Sequence, residues 1–193
     1  MADINAAVTG LLGVMAGGFF NNFLAEDYKR FRDGQALAGA IAGELESHGE
    51  PIKNIKERLE AMRLHLAAGN ALTTPEWPIP PSPLFDQNAG KIGLLGASSA
   101  KDVAYVYENI RAFRHNYNML TKNHSDMPLE WCSAIVIGCA AAITRAETRG
   151  LPLIETLKRQ ADESYWDRPQ TRTQLKWGAG IIVAFLLALK LLV

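Results

Sequence analysis

The sequence predicts an all-α protein, a helical bundle flanked by an amino-terminal and a carboxy-terminal transmembrane helix. Three observations lead there. Apolar runs stand at both ends, residues 4–25 (INAAVTGLLGVMAGGFFNNFLA) and 177–193 (WGAGIIVAFLLALKLLV), with Lys190 the only charge in either. Between them apolar residues recur at alternating steps of three and four, the period of one helix face. No run of alternating β-branched residues marks a strand. The chain of 193 residues divides accordingly into 4–25, a first membrane helix; 26–70, its extension and a second helix; 71–97, a proline-rich loop and turn; 98–168, the bundle core; and 177–193, a second membrane helix.

The 22 residues of the first run reach about 33 Å as a helix, enough for a hydrocarbon core of about 30 Å. Asp3, with no Lys or Arg before the run, argues for an uncleaved anchor over a secretory signal peptide. Leu24, Tyr28, Phe31, Gln35, Ala38, Ala42 and Leu45 extend the helix until Ser47-His48-Gly49 stops it. Pro51 then opens a helix carrying Ile52, Ile55, Leu59, Met62 and Leu66, with Lys53–Glu57 and Lys56–Glu60 as outward pairs. Gly69-Asn70 ends it.

Residues 71–84 hold five prolines and predict a stiff extended loop pinned by Trp77 and Ile79. Ser99 with Asp102 reads as a capping box for a helix bearing Val103, Val106, Ile110, Phe113, Tyr117 and Leu120. His124-Ser125-Asp126 breaks that series. The following helix is apolar on nearly every side over 131–143, too short a run to span a bilayer, which places it at the bundle centre. Gly150 is expected to cap it and Pro152 to start another helix. The last run of 17 residues reaches about 25 Å, near the lower limit for a span. Lys176 and Trp177 form its interface anchor.

Composition narrows the function. Twenty basic residues balance twenty acidic ones, so no nucleic-acid partner is expected. Two cysteines, Cys132 and Cys139, build neither a disulfide scaffold nor a zinc module, and seven residues apart on one helix they read as buried apolar groups. His48, His65, His115 and His124 form no metal-ligand pair; His48 and His124 lie at helix ends, where capping or surface roles are expected. Arg111–His115 and Arg114–His124 miss the arginine–histidine spacing of helical HEPN-type ribonucleases, leaving a basic solvated face as the expectation. Ser98 and Lys101 have the Ser-x-x-Lys spacing of some acyl enzymes without its companion motifs. Gly90-Lys91 lacks the rest of a phosphate loop. No catalytic, cofactor-binding or metal residue is assigned, and no cofactor is expected.

The constellation that remains lies in the terminal runs. Thr9, Gly13 and Gly17 step by four, as do Gly180, Ala184 and Ala188. Small residues at that spacing let membrane helices approach closely, where no hydrophobic drive brings them together. Gly39 and Gly43 repeat the step beyond the first run, opposite a helix expected to approach closely. Lys29, Arg30 and Arg32 after the first run, and Arg172, Lys176 and Trp177 before or at the second, are the interface anchors. By the positive-inside rule they put the middle region in the cytoplasm and both termini outside.

Residues 85–95, FDQNAGKIGLL, with the helix at 105–120, resemble a stretch of uncharacterised bacterial membrane-anchored helical proteins. The resemblance covers the amino-terminal anchor and the first two thirds of the chain. It implies a bacterial inner-membrane location and a small helical domain, with no known activity. Its motif positions here are Asn88, Lys91 and Gly93, which by themselves read as a helix–turn, with Gly96 adding backbone freedom. The carboxy-terminal membrane run departs from the simplest form of that group.

The expected function is a non-enzymatic cytoplasmic helical module, held in the bilayer at both ends and acting as a homo-oligomer or by docking a cytoplasmic protein partner. The alternative is an oligomeric pore-forming effector of defence or toxin type, lined by the glycine-rich first helix with Asn5, Thr9, Asn21 and Asn22 facing a lumen. A membrane-tethered hydrolase or nuclease is the weakest of the three.

Overall fold

The computed structural model describes residues 10, 13–14, 17–18, 24–75 and 80–192, except the side chains at 181, 184–186 and 188–192. Among the described residues every regular element is helical, as the periodicity predicts. They are α1 (Ala25–Gly49), α2 (Ile52–Ala67), α3 (Pro83–Asn88), α4 (Ala97–Asn123), α5 (Leu129–Asp162) and α6 (Pro169–Leu192). Short 3-10 turns lie at Ala89–Leu95, His124–Asp126 and Tyr165–Asp167. The chain forms two compact units: Ala36–Ala161, and Met1–Gln35 together with Asp162–Val193.

The larger unit is built on α4 and α5. The six apolar positions read from the sequence of α4 are all buried. On α5, Cys132, Val136, Cys139, Ile143, Ala146, Gly150, Leu153 and Leu157 form one buried stripe at strict four-three spacing. Each large aliphatic group on it contributes about 1.5–3 kcal/mol by leaving water. Two clusters divide this pair of helices. Leu37, Ala38, Ile41, Ala42 and Leu45 of α1 cover one half, and Leu59, Met62 and Leu66 of α2 cover the other.

That stripe corrects one sequence expectation. Gly150 is no cap and Pro152 starts no new helix, because α5 runs unbroken through both. Proline costs about 3 kcal/mol inside a helix. Here the buried residues on its two sides, Ala146 and Gly150 before and Leu153 and Leu157 after, share one register. A break would pull one half of the stripe off its partners. Gly150 packs on α4, where a Cβ would stand at an ordinary contact distance of 3.8 Å from Val106 Cγ1. The close approach expected beside Gly39 and Gly43 does not require glycine: a Cβ on Gly39 would stand at an ordinary 3.7 Å from Ala161 Cβ, and one on Gly43 would meet no described atom within 4 Å.

Other corrections are local. Gly96, at φ +80°, precedes α4 and its carbonyl accepts the Ala100 N–H at 2.9 Å, so Ser99 lies inside the first turn and is not the cap. Asp102 instead pairs with Arg149 at 3.4 Å. On α2 the pairs also differ: Lys56 bonds Glu147 of α5, and Glu60 bonds Arg63. The longer-range partner wins because Lys56 and Glu147 meet across the α2–α5 contact, partly shielded from water. The loop gives way at Pro83, which occupies the first turn of α3. Trp77 and Ile79 lie outside the described residues.

Among the described residues α5 is the one helix long and apolar enough to cross a membrane by length and composition. Its buried stripe is that of a central bundle helix. Its other sides are not all covered: Trp131 is 66% exposed and Ile137 54%.

The smaller unit is organised by aromatic rings. Tyr165 meets Tyr28 edge-on at 5.1 Å and Phe31 at 5.3 Å, and Arg168 lies 5.0 Å over the Phe31 ring. Asp27 accepts the Tyr165 hydroxyl at 2.9 Å and pairs with Arg168 at 3.6 Å. Along α6, Leu175, Trp177, Ile182, Val183 and Leu187 are all exposed. At 3.6 residues per turn those five positions fall on different sides of the helix.

Candidate functional site

Where the proline-rich segment enters α3, the larger unit holds a buried polar knot. Ser82 precedes α3 at the N-cap position, yet its hydroxyl caps nothing. Glu44, reaching across from α1, does that work. One carboxylate oxygen accepts the Leu84 N–H at 2.8 Å, and the other accepts the Phe85 N–H at 3.0 Å. These are donors that a helix leaves unpaired in its first turn, and a carboxylate there also meets the positive end of the backbone dipoles. The Tyr107 hydroxyl donates to the same carboxylate at 2.7 Å. Burial, then the hydrogen bond to Glu44 and that group's negative charge, raises the Tyr107 pKa, so the phenol stays a donor. Phe85 stacks on Tyr107 with ring centroids 3.9 Å apart, and the Arg111 guanidinium lies 5.5 Å from the Phe85 ring centroid while pairing with Asp86 at 3.1 Å.

His48, one turn beyond Glu44, closes the knot. Its Nε2 lies 3.0 Å from Ser82 Oγ and 3.4 Å from Arg114 Nη2. A guanidinium only donates, so Nε2 is the unprotonated nitrogen and accepts from both. Burial lowers the His48 pKa, and Arg114 lowers it further, against a smaller opposite pull from Glu44. Arg114 is itself half-buried, and desolvation lowers its pKa despite the attraction of Asp86 and Glu44.

Beside the knot opens a cleft of about 930 Å³. Val106, Ile110 and Phe113 of α4 with Ile143 and Ile154 of α5 form its floor, at the seam between the two core clusters. Ile52, Ile55 and the prolines at 80, 81 and 83 wall it, and Glu44, His48 and Arg114 line one part. Ser82 is 2% exposed and does not line the cleft. A serine–histidine contact that substrate cannot reach gives no nucleophile, so the pair reads as structural. No group of His, Cys, Asp or Glu among the described residues is arranged to hold a metal.

The structure assigns the sequence candidates as follows. Gly13 and Gly17 are helical, and a Cβ built on either, or on Gly180, meets no described atom within 4 Å. Thr9 lies outside the described residues; Ala184 and Ala188 belong to α6, with their side chains outside the description. Lys29, Arg30 and Arg32 are exposed on α1, and Lys176 and Trp177 on α6. Arg172 bonds Asp167 at 2.7 Å. Cys132 and Cys139 are free and buried, as expected, and burial pushes the Cys139 thiol up to about 12.

Of the expected basic solvated face, Arg111 and His115 are exposed, Arg111 also lying over Phe85 and pairing with Asp86, while Arg114 departs from it as half-buried. His124 does bond helix-end carbonyls, those of Leu120 and Thr121. His48 departs from the surface role expected of it, because the proline-rich segment folds over it. Asn88 Nδ2 donates to the Leu84 carbonyl, the Gly93 carbonyl accepts the Gly96 N–H, and Lys91 is exposed, so this motif shapes a turn. Glu44, Ser82 and Tyr107 escaped the sequence reading. One signal was legible: Glu44 is a carboxylate set among the apolar positions Ile41, Ala42 and Leu45.

Comparison with protein-family models, curated proteins and solved structures finds no match to the chain.

Proposed function

We propose that the chain is a non-enzymatic helical module anchored in a bilayer through both terminal segments, acting by self-association or by docking a cytoplasmic protein. The observation that carries this reading is α6. Its large apolar side chains face outward on several sides, which in water exposes hydrocarbon with no compensation and in lipid costs nothing. Trp177, 72% exposed beside Lys176, suits the boundary between headgroups and hydrocarbon. The aromatic–arginine cluster of Tyr28, Phe31, Tyr165 and Arg168 ties the start of α1 to the segment before α6. The small-residue steps through Thr9, Gly13 and Gly17 and through Gly180, Ala184 and Ala188 support self-association of these segments. The basic flanks orient the middle region to the cytoplasm of a bacterial inner membrane, with both termini outside.

The test is fractionation followed by labelling. The full chain should stay with membranes through alkaline carbonate extraction. A cysteine placed at Ser125 should react only from the cytoplasmic side, and one at Ala2 only from outside; the native cysteines, buried and with raised pKa, add little background. Release by carbonate would sink the anchored reading. Cross-linking in lipid should give oligomers that Gly13→Leu and Gly17→Leu reduce; an unchanged monomer would remove self-association.

A further inference from the structure

We propose that the cleft of the larger unit binds a free single-chain carboxylate, with its head on Arg114 and its apolar chain along the α4–α5 seam. The volume falls within the range of about 300–1,000 Å³ usual for small-molecule sites, which are mostly apolar with a few placed polar groups. The floor has that character: Val106, Ile110, Phe113, Ile143 and Ile154. It stays open because α1 ends at Gly49 and α2 begins at Ile52, so neither covering helix runs across the seam.

The charge comes from a mismatch at Arg114. It is half-buried, its hydrogen bond among the described residues goes to neutral His48 at 3.4 Å, and no described carboxylate lies within salt-bridge distance. The acidic groups around it are otherwise engaged. Glu44 accepts three hydrogen bonds, Asp86 pairs with Arg111, Glu147 with Lys56, and Glu46 with Lys158. Glu50 lines the cleft as an exposed group, and Glu155, also exposed there, lies 3.9 Å from Lys158.

A desolvated guanidinium without a carboxylate is matched by a planar two-oxygen acceptor. An inorganic anion would leave the apolar floor uncovered, and a neutral hydrocarbon would leave Arg114 unmet. One ligand with both parts satisfies both. The exposed carboxylates of Glu50 and Glu155 oppose an anionic bilayer surface, which favours a free ligand over a membrane lipid.

The test is equilibrium dialysis of radiolabelled dodecanoate against the full chain in phosphatidylcholine discs, with empty discs subtracting partition into lipid. Saturable binding of one molecule per chain is expected, at least tenfold tighter than for dodecanol. Arg114→Gln should weaken dodecanoate at least tenfold and leave dodecanol unchanged. Ile110→Trp, which fills the floor, should abolish both. Non-saturable uptake, equal binding of acid and alcohol, or an unaffected Arg114→Gln variant would each overturn the proposal. The acid–alcohol comparison needs no variant, so a folding defect cannot mask the answer. Loss of dodecanoate binding in phosphatidylglycerol discs would reassign the cleft to a bilayer lipid and overturn the free ligand.

Discussion

Helices α5 and α6 are both long and apolar, and their surroundings are opposite. On α5 the buried residues keep one stripe over the whole length, from Cys132 to Leu157, and charged groups such as Arg145, Glu147 and Arg149 flank it. On α6 the exposed apolar residues from Leu175 to Leu187 keep no stripe. Apolar content alone therefore does not separate a core helix from the one proposed to face lipid. The angular distribution of that content does, because a protein partner covers one side of a helix and lipid covers all of them.

The largest effect should come from a charge on the α5 stripe. Leu157 is fully buried, and Leu157→Asp should cost more than about 4 kcal/mol, enough to unfold the larger unit. Leu187→Asp on α6 should leave the larger unit's unfolding midpoint unchanged and weaken retention by membranes. Denaturant unfolding followed by circular dichroism, beside flotation, separates the two outcomes. Equal destabilisation by both substitutions would erase the contrast.

The polar knot sharpens the comparison within the larger unit. Glu44→Ala strands two backbone donors and the Tyr107 hydroxyl, and should cost about 3 kcal/mol or more. Tyr107→Phe removes one bond to a charged acceptor and should cost about 1.5 kcal/mol in the same assay. If Glu44→Ala proved neutral, the knot would not be what seats α3.

The smallest effect is a pH dependence. The folded His48 pKa lies below its ordinary value of 6.5. Within that window the unfolded chain holds a proton that the folded chain does not. The stability contributed by neutral His48 is thus complete above pH about 6.5 and is lost as pH falls through the folded pKa. Melting temperature measured from pH 7.5 down to 5 should fall more steeply in the wild type than in His48→Gln.

Much of this fold can be read in one dimension. Helix period, the stop at Gly49, the turn at Gly69 and the break at His124 depend on residues within a few positions of each other. Burial of the α4 series from Val103 to Leu120 followed from spacing alone. The knot was hidden for the opposite reason. Glu44 and Phe85 are 41 residues apart and Glu44 and Tyr107 are 63 apart, so no local pattern joins them.

The sequence by itself determined an all-α chain, several of its helix starts and stops, its apolar stripes and the apolar runs at its ends, because each rests on local backbone preference and period. Only the tertiary structure decided that Pro152 stays inside a helix, that Glu44 caps α3 from a distance, and that Arg114 is half-buried beside an open cleft. Each of those depends on which surfaces of distant segments exclude water from one another, and that is a property of the packed chain.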